Sequence, residues 1–334
     1  AGELGVMDVD GTSAVRVQAG TAGQYGQFSI GADGAWTYTA DNAALQKLGA
    51  GVSAGDLFTV YAEDGTSQDI VLSLIGVNDG PLFDPGAIEA SVVEDAQPKA
   101  GGALTFTDMD ANDVHAVKAS PLQDGLGRFS AHLDREAGEA GVGTVSWDYV
   151  LDPIRADALA QGELVTELYT VVINDGHGGV APCDVTVRIT GTNDQALFGG
   201  VDTGSVTEDS DSYTASGVLA VTDVDSSVAV EVQTGVVGEY GQFSIDADGA
   251  WSYMADNLAL QELNVKSGAT ERFTIRTADG TAHDILVTLA GLNDPAQISG
   301  PDTESVTEDS GSYTVTGKLS ATDVDSSEIG RAHV

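Results

Sequence analysis

Apolar and polar residues alternate over short stretches of the chain, and Asp-Gly turns separate these stretches. Phe243 and Ile245 alternate with polar residues into one such turn, and Trp251 and Tyr253 alternate out of it. A second stretch, 273–289, has the same pattern around Asp-Gly. A period of two broken by Asp-Gly is typical of β-hairpins. The pattern therefore predicts strands and tight turns.

The region 196–296 contains further elements of the same kind. Val206 and the stretch 213–221 predict the first two strands, and 228–233 predicts the next. After the strand that carries Trp251, Asn257 is expected to cap a short helical turn whose leucines close one end of a core, namely Leu258, Leu260 and Leu263. About seven short strands in this order predict an immunoglobulin-like β-sandwich. The tryptophans Trp36, Trp147 and Trp251 share one repeat position, and core packing is the preferred interpretation.

The acidic turn TDVDSS begins at Thr222 and again at Thr322, and looser copies begin at Thr107 and Met7. The stretch 8–78 matches 223–293 at a constant offset of 215 residues. Self-similarity at a fixed period indicates a repeat protein whose units stack end to end. We expect tandem sandwiches over 1–80 (truncated at its N-terminal side), 81–195, 196–296 and a partial repeat over 297–327, followed by a non-native tail over 328–334.

Repeat two differs from its neighbours between Ser120 and Thr144. The distance from Asp110 to Trp147 is 37 residues, and the matching distance from Asp225 to Trp251 is 26. The 11 extra residues are rich in glycine and charge and predict an extended hairpin or loop. This insertion is the first place to look for a specific ligand, although a solvated hairpin is the simpler interpretation.

Composition restricts the partners of the chain. Thirteen basic residues face 52 acidic ones, so the net charge is −39, and binding to nucleic acid or to an anionic bilayer is disfavoured. Of the acids, 36 are Asp, and short carboxylates in turns suit hard cations. A generally acidic, salt-adapted surface is the alternative. A single cysteine, Cys183, excludes an internal disulfide, and no apolar run reaches the length of a membrane helix.

Strand direction brings the acidic residues together. If the first strand of each sandwich descends and its neighbours alternate, the acids after the second strand lie at the top and those after the first lie at the bottom. Stacked domains then join each bottom to the next top. The first junction would gather Asp41, Asn42, Asn78, Asp79, Asp108, Asp110 and Asp175. The second would gather Glu94, Asp95, Asp152, Asn193, Asp194, Asp223, Asp225 and Asp279. The third would gather Glu208, Asp209, Asp256, Asn257, Asn293, Asp294, Asp323 and Asp325.

These clusters contain only oxygen ligands. Ca²⁺ takes six to eight oxygen ligands, whereas Zn²⁺ prefers His or Cys, so the junctions predict Ca²⁺ sites. Without a cation, mutual repulsion should push the domains apart or raise some pKa values. The alternative is that these residues serve only turns and helix caps, where Asp and Asn are common.

The sequence lacks the usual marks of an enzyme. The five histidines occupy loops or polar strand positions without repeat-equivalent spacing, and no nucleophile elbow, zinc-protease motif or phosphate-binding loop occurs. A glycosidase would need an aromatic-lined cleft, and aromatics make up 6% of the chain. We expect no catalytic activity.

Several motifs in order resemble a known family. YGQFSIDADGAWSYMADN, VTLAGLNDPA, FSAHLDREAGEAGVGTVSWDYVLD and VVINDGHGGV are similar to the VCBS repeats of large bacterial RTX-type surface adhesins. The resemblance covers nearly the whole chain and implies cadherin-like domains, Ca²⁺, type I secretion and service as an extension region. The linkers NDGP, NDQA and NDPA depart from the family's usual NDAP. LDRE at Leu133 resembles a cadherin calcium motif but aligns with a hairpin turn, away from the predicted junction.

The leading hypothesis is a calcium-stiffened spacer of a secreted adhesin at the bacterial surface, active in cell adhesion and biofilm. Its partners would be neighbouring repeats, with a host or other surface bound by other domains of the parent protein. The alternative is an adhesive module that binds a glycan, peptide or cell surface through the repeat-two insertion. The partial fourth repeat also predicts head-to-tail strand complementation with repeat one of a second molecule.

Overall fold

The computed structural model describes residues 1–7, 9, 11, 13–84, 86, 88–120, 124–263, 268–309, 311 and 314–324. The chain divides into two compact units, 1–192 and 193–334. The prediction of an all-β chain of tandem sandwiches is confirmed, since helices within the described residues are single turns. No described helix combines the length and the hydropathy that crossing a membrane requires.

Repeat one begins the first compact unit. Its elements are β1 (Gly2–Glu3), β2 (Gln18–Ala22), β3 (Gly26–Ile30), β4 (Ala35–Ala40), α1 (Asn42–Leu45), β5 (Ser53–Tyr61) and β6 (Ser67–Ile75). One sheet has the order β1-β4-β3-β2, and β5 pairs with β6 in the other. A small core of Val15, Phe28, Ile30, Phe58 and Val60 lies between them.

Repeat two completes this unit and has the longest strands. Its elements are β7 (Leu82–Phe83), β8 (Ile88–Val93), β9 (Lys99–Thr107), β10 (Ala116–Ala119), β11 (Gly127–Arg135), a 3-10 turn (Gly138–Ala140), β12 (Val142–Leu151), α2 (Pro153–Ala156), β13 (Leu164–Asn174) and β14 (Val180–Thr190). The sheets have the orders β10-β13-β14-β8 and β11-β12-β9-β7. The insertion lengthens the β11–β12 hairpin and adds the 3-10 turn. Residues 124–144 of the insertion therefore form an extended hairpin, as predicted.

Repeat three lies in the second compact unit. Its elements are β15 (Leu197–Gly200), β16 (Thr203–Thr207), β17 (Thr214–Thr222), β18 (Gln233–Val237), β19 (Gly241–Ile245), β20 (Ala250–Ala255), α3 (Asn257–Leu260), β21 (Ala269–Arg276) and β22 (Ala282–Ala290). The sheets have the orders β15-β17-β20-β19-β18 and β16-β22-β21. Beyond them, β23 (Gln297–Ser299) pairs with β24 (Ser320–Thr322). The predicted tail 328–334 lies outside the described residues.

The first strand of repeat three is divided between the two sheets. β15 runs antiparallel to β17, and β16 runs parallel to the last strand β22. The crossing falls at Val201 and Asp202, where the Val201 amide donates to Val218 of one sheet and the Asp202 carbonyl accepts from Leu286 of the other. Repeat two shows the same division, with β7 beside β9 and β8 parallel to β14. The segment 197–207 therefore pairs with an edge strand of each sheet and joins the two sheets.

The predicted strand 228–233 is wrong in its position. Val230 makes only an isolated bridge to Thr277, and the strand itself begins at Gln233. The Val230 amide donates to Ala247 in the β19–β20 turn, whereas the Glu231 amide donates to Arg276 of β21. Because successive amides bond to different elements, these residues do not form one ladder.

The tryptophans pack into the cores of repeats two and three, where Trp147 and Trp251 are 3% and 2% exposed. Trp36 is only half-buried. In repeat three the Trp251 indole donates to the Val201 carbonyl at 2.6 Å, and Gly204 also lies against the ring.

The helical turn after β20 corrects two details of the prediction. Asp256, rather than Asn257, caps α3, because its carboxylate accepts from the Leu258 amide at 3.0 Å. Leu260 and Leu263 are buried, but Leu258 is 82% exposed. The cap precedes the predicted one by a residue, and this turns Leu258 away from the core.

Candidate metal centre

The top of repeat two carries a cluster of buried acidic residues. Asp108 and Asp110 follow β9 directly, and Asp175 begins the turn between β13 and β14. All three are nearly inaccessible, with exposures of 1%, 0% and 1%. Asn78 and Asp79 reach them from the segment after β6 of repeat one. Three carboxylates thus lie out of solvent where the chain passes from one sandwich to the next.

Hydrogen bonds connect the members of this cluster. The Asn78 amide donates to Asp175 Oδ2 at 3.0 Å, and the Asp79 backbone N–H donates to Asp110 Oδ2 at 2.9 Å. The Asp110 N–H donates to Asp108 Oδ1 at 3.0 Å. The segment after repeat one is therefore fastened to two loops of repeat two.

Several oxygens of the cluster have no hydrogen-bond partner among the described residues. They are Asn78 Oδ1, Asp79 Oδ2, Asp110 Oδ1 and Asp113 Oδ2, each buried. Burial and the neighbouring charges of Asp113, Asp79 and Asp108 raise the pKa of Asp110, against the stabilising Asp79 N–H. A buried acceptor without a donor is costly, because it loses its hydration without replacement. A cation among these oxygens would satisfy them, and their chemistry fits a hard ion such as Ca²⁺.

Asp113 and two histidines also border the cluster, and sequence reasoning did not identify any of the three. Carboxylate oxygens of Asp108, Asp110 and Asp113 lie within 4.8 Å of one another, as do ligand atoms of Asp113, Asp175 and His177. His115 lies in the loop before β10, as predicted, but it is buried, with an exposure of 6%. Only the hairpin register and the sandwich closure bring these residues together, so sequence spacing carries no sign of them.

His115 connects the cluster to the insertion of repeat two. One ring nitrogen lies 3.0 Å from Asp108 Oδ2, and the other lies 2.7 Å from Glu136 Oε2. Burial disfavours the charged ring, but the two carboxylates outweigh it and raise the pKa of His115. Glu136 is the last residue of LDRE, whose alignment with a hairpin turn predicts a position away from the junction. That placement is wrong, because the lengthened β11–β12 hairpin carries Glu136 to the top of the sandwich.

Repeat three has a related arrangement within the second compact unit. The Asn193 amide lies 3.4 Å from Asp279 Oδ2, and the Asp194 N–H donates to Asp225 Oδ2 at 3.3 Å. Asp223 Oδ1 accepts from the Asp225 N–H at 3.1 Å. Asp223 Oδ2 and Asp225 Oδ1 are buried and lack a hydrogen-bond partner among the described residues. Hydrogen bonds to Thr277, Thr281 and Asn193 outweigh burial and hold the pKa of Asp279 well below its usual range.

At the bottom of repeats two and three a glutamate accepts from the backbone just after the last strand. Glu94 Oε2 accepts from the Thr192 N–H at 3.0 Å, and Glu208 Oε2 accepts from the Leu292 N–H at 2.7 Å. Glu208 Oε1 also accepts from the Gln261 amide at 2.5 Å. The aspartates that follow, Asp95 and Asp209, are exposed and have left-handed backbones with φ of 55° and 52°.

The remaining predicted ligands have a local role in the described structure. Asp41 and Asp152 cap α1 and α2 through their carboxylates. Asn42 is exposed, whereas Asn257 Oδ1 is buried without a hydrogen-bond partner among the described residues. The Asn293 amide donates to the Asp294 carbonyl at 2.9 Å. Asp323 follows β24, and Asp325 lies outside the described residues.

Each repeat also buries a carboxylate that sequence reasoning missed. Asp56 Oδ2 accepts from the Tyr38 hydroxyl at 2.7 Å, and Glu167 Oε2 accepts from Tyr149 at 2.8 Å and from Tyr169 at 2.7 Å. Glu271 accepts from Tyr253. Position 56 plus the 215-residue offset gives 271, so the periodicity could have shown this position. Each carboxylate also accepts from loop amides and so closes the sandwich next to the tyrosine.

Comparison with known proteins supports part of the family resemblance. Residues 193–291 match the bacterial cadherin-like domain. Solved cadherin structures are also similar. Protocadherin gamma B7 domains 1–4 is 17% identical, with 93% of this chain and 75% of that one covered at a TM-score of 0.41. Mouse cadherin-23 EC22–24 is 17% identical, with 83% and 85% covered at 0.37. No curated protein sequence matches the chain. The match to the bacterial cadherin-like domain thus covers β15 to β22 of repeat three and the linker before them.

Proposed function

We propose that the chain is an extension region of a secreted bacterial adhesin, in which Ca²⁺ at the junctions holds tandem sandwiches in line. The observation that carries this proposal is the set of four buried, unpartnered oxygens where repeat one meets repeat two. An array of this kind acts mechanically, since each repeat contacts only its neighbours. Catalysis has no part in it.

The residues that would hold Ca²⁺ at the first junction are Asn78, Asp79, Asp108 and Asp110, with Asp113 and Asp175 at the border. The ion would neutralise carboxylates that otherwise repel one another at short range. Asn193, Asp194, Asp223, Asp225 and Asp279 would serve repeat three, and the participation of Glu94, Asp95 and Asp152 in that site stays a prediction from the sequence. At the third junction the proposed ligands are Glu208, Asp209, Asp256, Asn257, Asn293, Asp294, Asp323 and Asp325.

The proposal includes the setting in which the chain works. Extracellular modules bind Ca²⁺ with dissociation constants on the order of 10⁻⁴ to 10⁻³ M. Millimolar Ca²⁺ outside a cell would fill such sites, whereas the cytosol would leave them empty and the chain flexible until export. The resemblance to VCBS repeats adds type I secretion and a bacterial surface location, and the cadherin-like match of repeat three agrees with an extracellular role.

Small-angle scattering and thermal unfolding of the full chain test the calcium proposal directly. We expect Ca²⁺ to increase the maximum dimension and the melting temperature, and a chelator to reverse both changes. Mg²⁺ at the same concentration is the control for ionic strength, because it demands octahedral geometry and retains its waters. If neither quantity responds to Ca²⁺, the proposal is wrong.

A second candidate function is ligand binding beside the repeat-two insertion. A cleft in repeat two is lined by Arg128, Phe129 and Arg155, and also by Asp124 and Asp152. A neutral sugar, which can donate and accept hydrogen bonds and pack on an aromatic ring, would suit this combination. A glycan array with the wild type and with Arg128→Ala tests it. Loss of a specific signal in the variant would favour an adhesive module over a spacer.

A further inference from the structure

The turn between β13 and β14 differs chemically from its counterpart in repeat three. The Asp175 N–H donates to the Gly179 carbonyl at 3.2 Å, as the Thr277 N–H does to Thr281 at 3.0 Å. This register aligns His177 with Asp279. Along the turn, repeat two therefore has an imidazole at the position of Asp279, while its Asp175 takes over the contact of Asp279 with the linker asparagine.

The segment after β9, which faces this turn, also differs from its counterpart in repeat three. Asp108 and Asp110 correspond to Asp223 and Asp225, so Asp113 occupies the position of Val228. The pairing of Ala116 with Asn174 matches the bond from Glu231 to Arg276, which supports this alignment. Repeat two thus gains a carboxylate opposite the position where it gains a histidine.

The new pair lies close together and close to Asp175. His177 Nδ1 is 3.3 Å from Asp113 Oδ1, and ligand atoms of Asp113, Asp175 and His177 all lie within 4.8 Å of one another. The Asp113 side chain is 3% exposed, and its Oδ2 has no hydrogen-bond partner in the described part of the chain. This buried, unpartnered oxygen is an observation independent of the acidity of the cluster, and it points to a ligand.

Asp175 and His177, the other two groups, differ in how they are positioned and exposed. Asp175 Oδ1 accepts from the His177 N–H at 2.7 Å and from the Gly179 N–H at 2.9 Å, which fixes the carboxylate. The His177 side chain is 47% exposed, so the open side of the group faces solvent. A bound ion could therefore complete its coordination with water.

We propose that Asp113, Asp175 and His177 bind a first-row transition dication at the top of repeat two. One imidazole with two carboxylates suits Mn²⁺, Co²⁺ or Zn²⁺, whereas Ca²⁺ prefers oxygen alone. Asp113 also borders the oxygen cluster, so the two ions would be neighbours that share a carboxylate. The proposal goes beyond the calcium-stiffened spacer, because it assigns a different class of metal to repeat two alone.

Co²⁺ titration of the untagged full chain in saturating Ca²⁺ tests the proposal. We expect a single equivalent to bind with a visible absorption band. His177→Ala should weaken this binding at least about tenfold, because even outer-shell changes commonly cost 10- to 100-fold in metal affinity. His177→Asp, which restores the residue of repeat three, should also lose Co²⁺ affinity. His132→Ala removes an exposed imidazole next to Asp134 and should leave binding unchanged.

Two results would overturn the proposal. One is wild-type Co²⁺ affinity in His177→Ala, and the other is displacement of Co²⁺ by millimolar Ca²⁺. Thermal unfolding keeps this test apart from that of the spacer. His177→Ala should retain the Ca²⁺-dependent rise in melting temperature, which also shows that it folds, whereas failure of the calcium proposal would abolish that rise in the wild type.

Discussion

The indole of Trp251 lies against the α-carbon of Gly217, its partner across the β17–β20 ladder. A Cβ atom at 217 would stand 2.7 Å from Trp251 Nε1. The same pair recurs as Gly102 with Trp147 and Gly2 with Trp36, where the added carbon would stand 3.0 and 2.6 Å from ring atoms. Each sandwich therefore needs a residue without a side chain opposite its tryptophan.

Gly217→Ala should destabilise repeat three by about 1–3 kcal/mol, the usual cost of forcing extra atoms into a packed core. Hydrogen exchange of β17 and β20 amides in the full chain would measure the change in opening free energy. The matched control is Gly199→Ala in the same sheet, where the nearest atom to an added carbon is 3.8 Å away. Its effect should stay within about 0.5 kcal/mol. Equal effects of the two substitutions would contradict the steric argument.

Asp110→Asn should raise the melting temperature of the chain without Ca²⁺ and reduce the further rise that Ca²⁺ causes. In chelator the variant should melt at a higher temperature than the wild type, because one buried charge facing Asp108 and Asp113 is gone. In Ca²⁺ it should show a smaller rise, since a charged ligand is lost. Asp148→Asn, at an exposed position on β12, changes the net charge equally and should behave as the wild type does. Differential scanning calorimetry in both conditions measures the effect, and a lower melting temperature of Asp110→Asn in chelator would be inconsistent with repulsion.

The helical turn α3 offers a test of which leucine closes the core. Leu260 is fully buried, so Leu260→Ala should cost about 2–5 kcal/mol. Leu258 is 82% exposed, and Leu258→Ala should change stability by less than about 0.5 kcal/mol. Denaturant unfolding of the two variants in the full chain compares the cost of the same substitution, Leu to Ala, at the two positions. The reverse order of the two costs would show that the helix starts at a different residue.

Alkaline pH should destabilise repeat one through Tyr38. Burial, the hydrogen bond to Asp56 and the charge of Asp56 raise the pKa of Tyr38 to about 12, compared with about 10 in an unfolded chain. The folded state then holds its proton more tightly, so the stabilisation is complete below pH ~10 and disappears as the pH rises towards 12. Hydrogen exchange of β3–β5 amides across this range measures it. Tyr38→Phe should remove this part of the pH dependence, and an unchanged dependence would refute the assignment.

Counting strands is enough to predict much of this architecture. Alternation around Asp-Gly turns gave the hairpins, and alternating strand direction put Asn78, Asp110 and Asp175 at one end of repeat two. The structure has hydrogen bonds from the segment at 78–79 to both aspartates. Their role as ligands stays a prediction.

The remainder depends on geometry that a single sequence does not encode locally. Asp256 and Asn257 are both good cap residues, and only the helix start distinguishes them. Asp113 and His177 are far apart in sequence, and the pairing of β10 with the distant strand β13 decides that they meet. Glu167 looks like a surface residue in an alternating strand until the loop amides and two tyrosines enclose it. These are buried polar positions, where hydrophobic periodicity gives no signal.

The parallel pairing of β16 with β22 determines how repeat three would carry a load. Tension along the chain passes β15, enters β16 at its N-terminal end and leaves at the C-terminal end of β22. Because these neighbours point the same way, the two forces slide the strands past each other. The pairs from Thr203–Leu286 to Thr207–Ala290 are then strained together rather than broken one at a time, as they would be in an antiparallel pair opened from its end. The β16–β22 pair is thus loaded in shear, which resists separation better than opening from one end does.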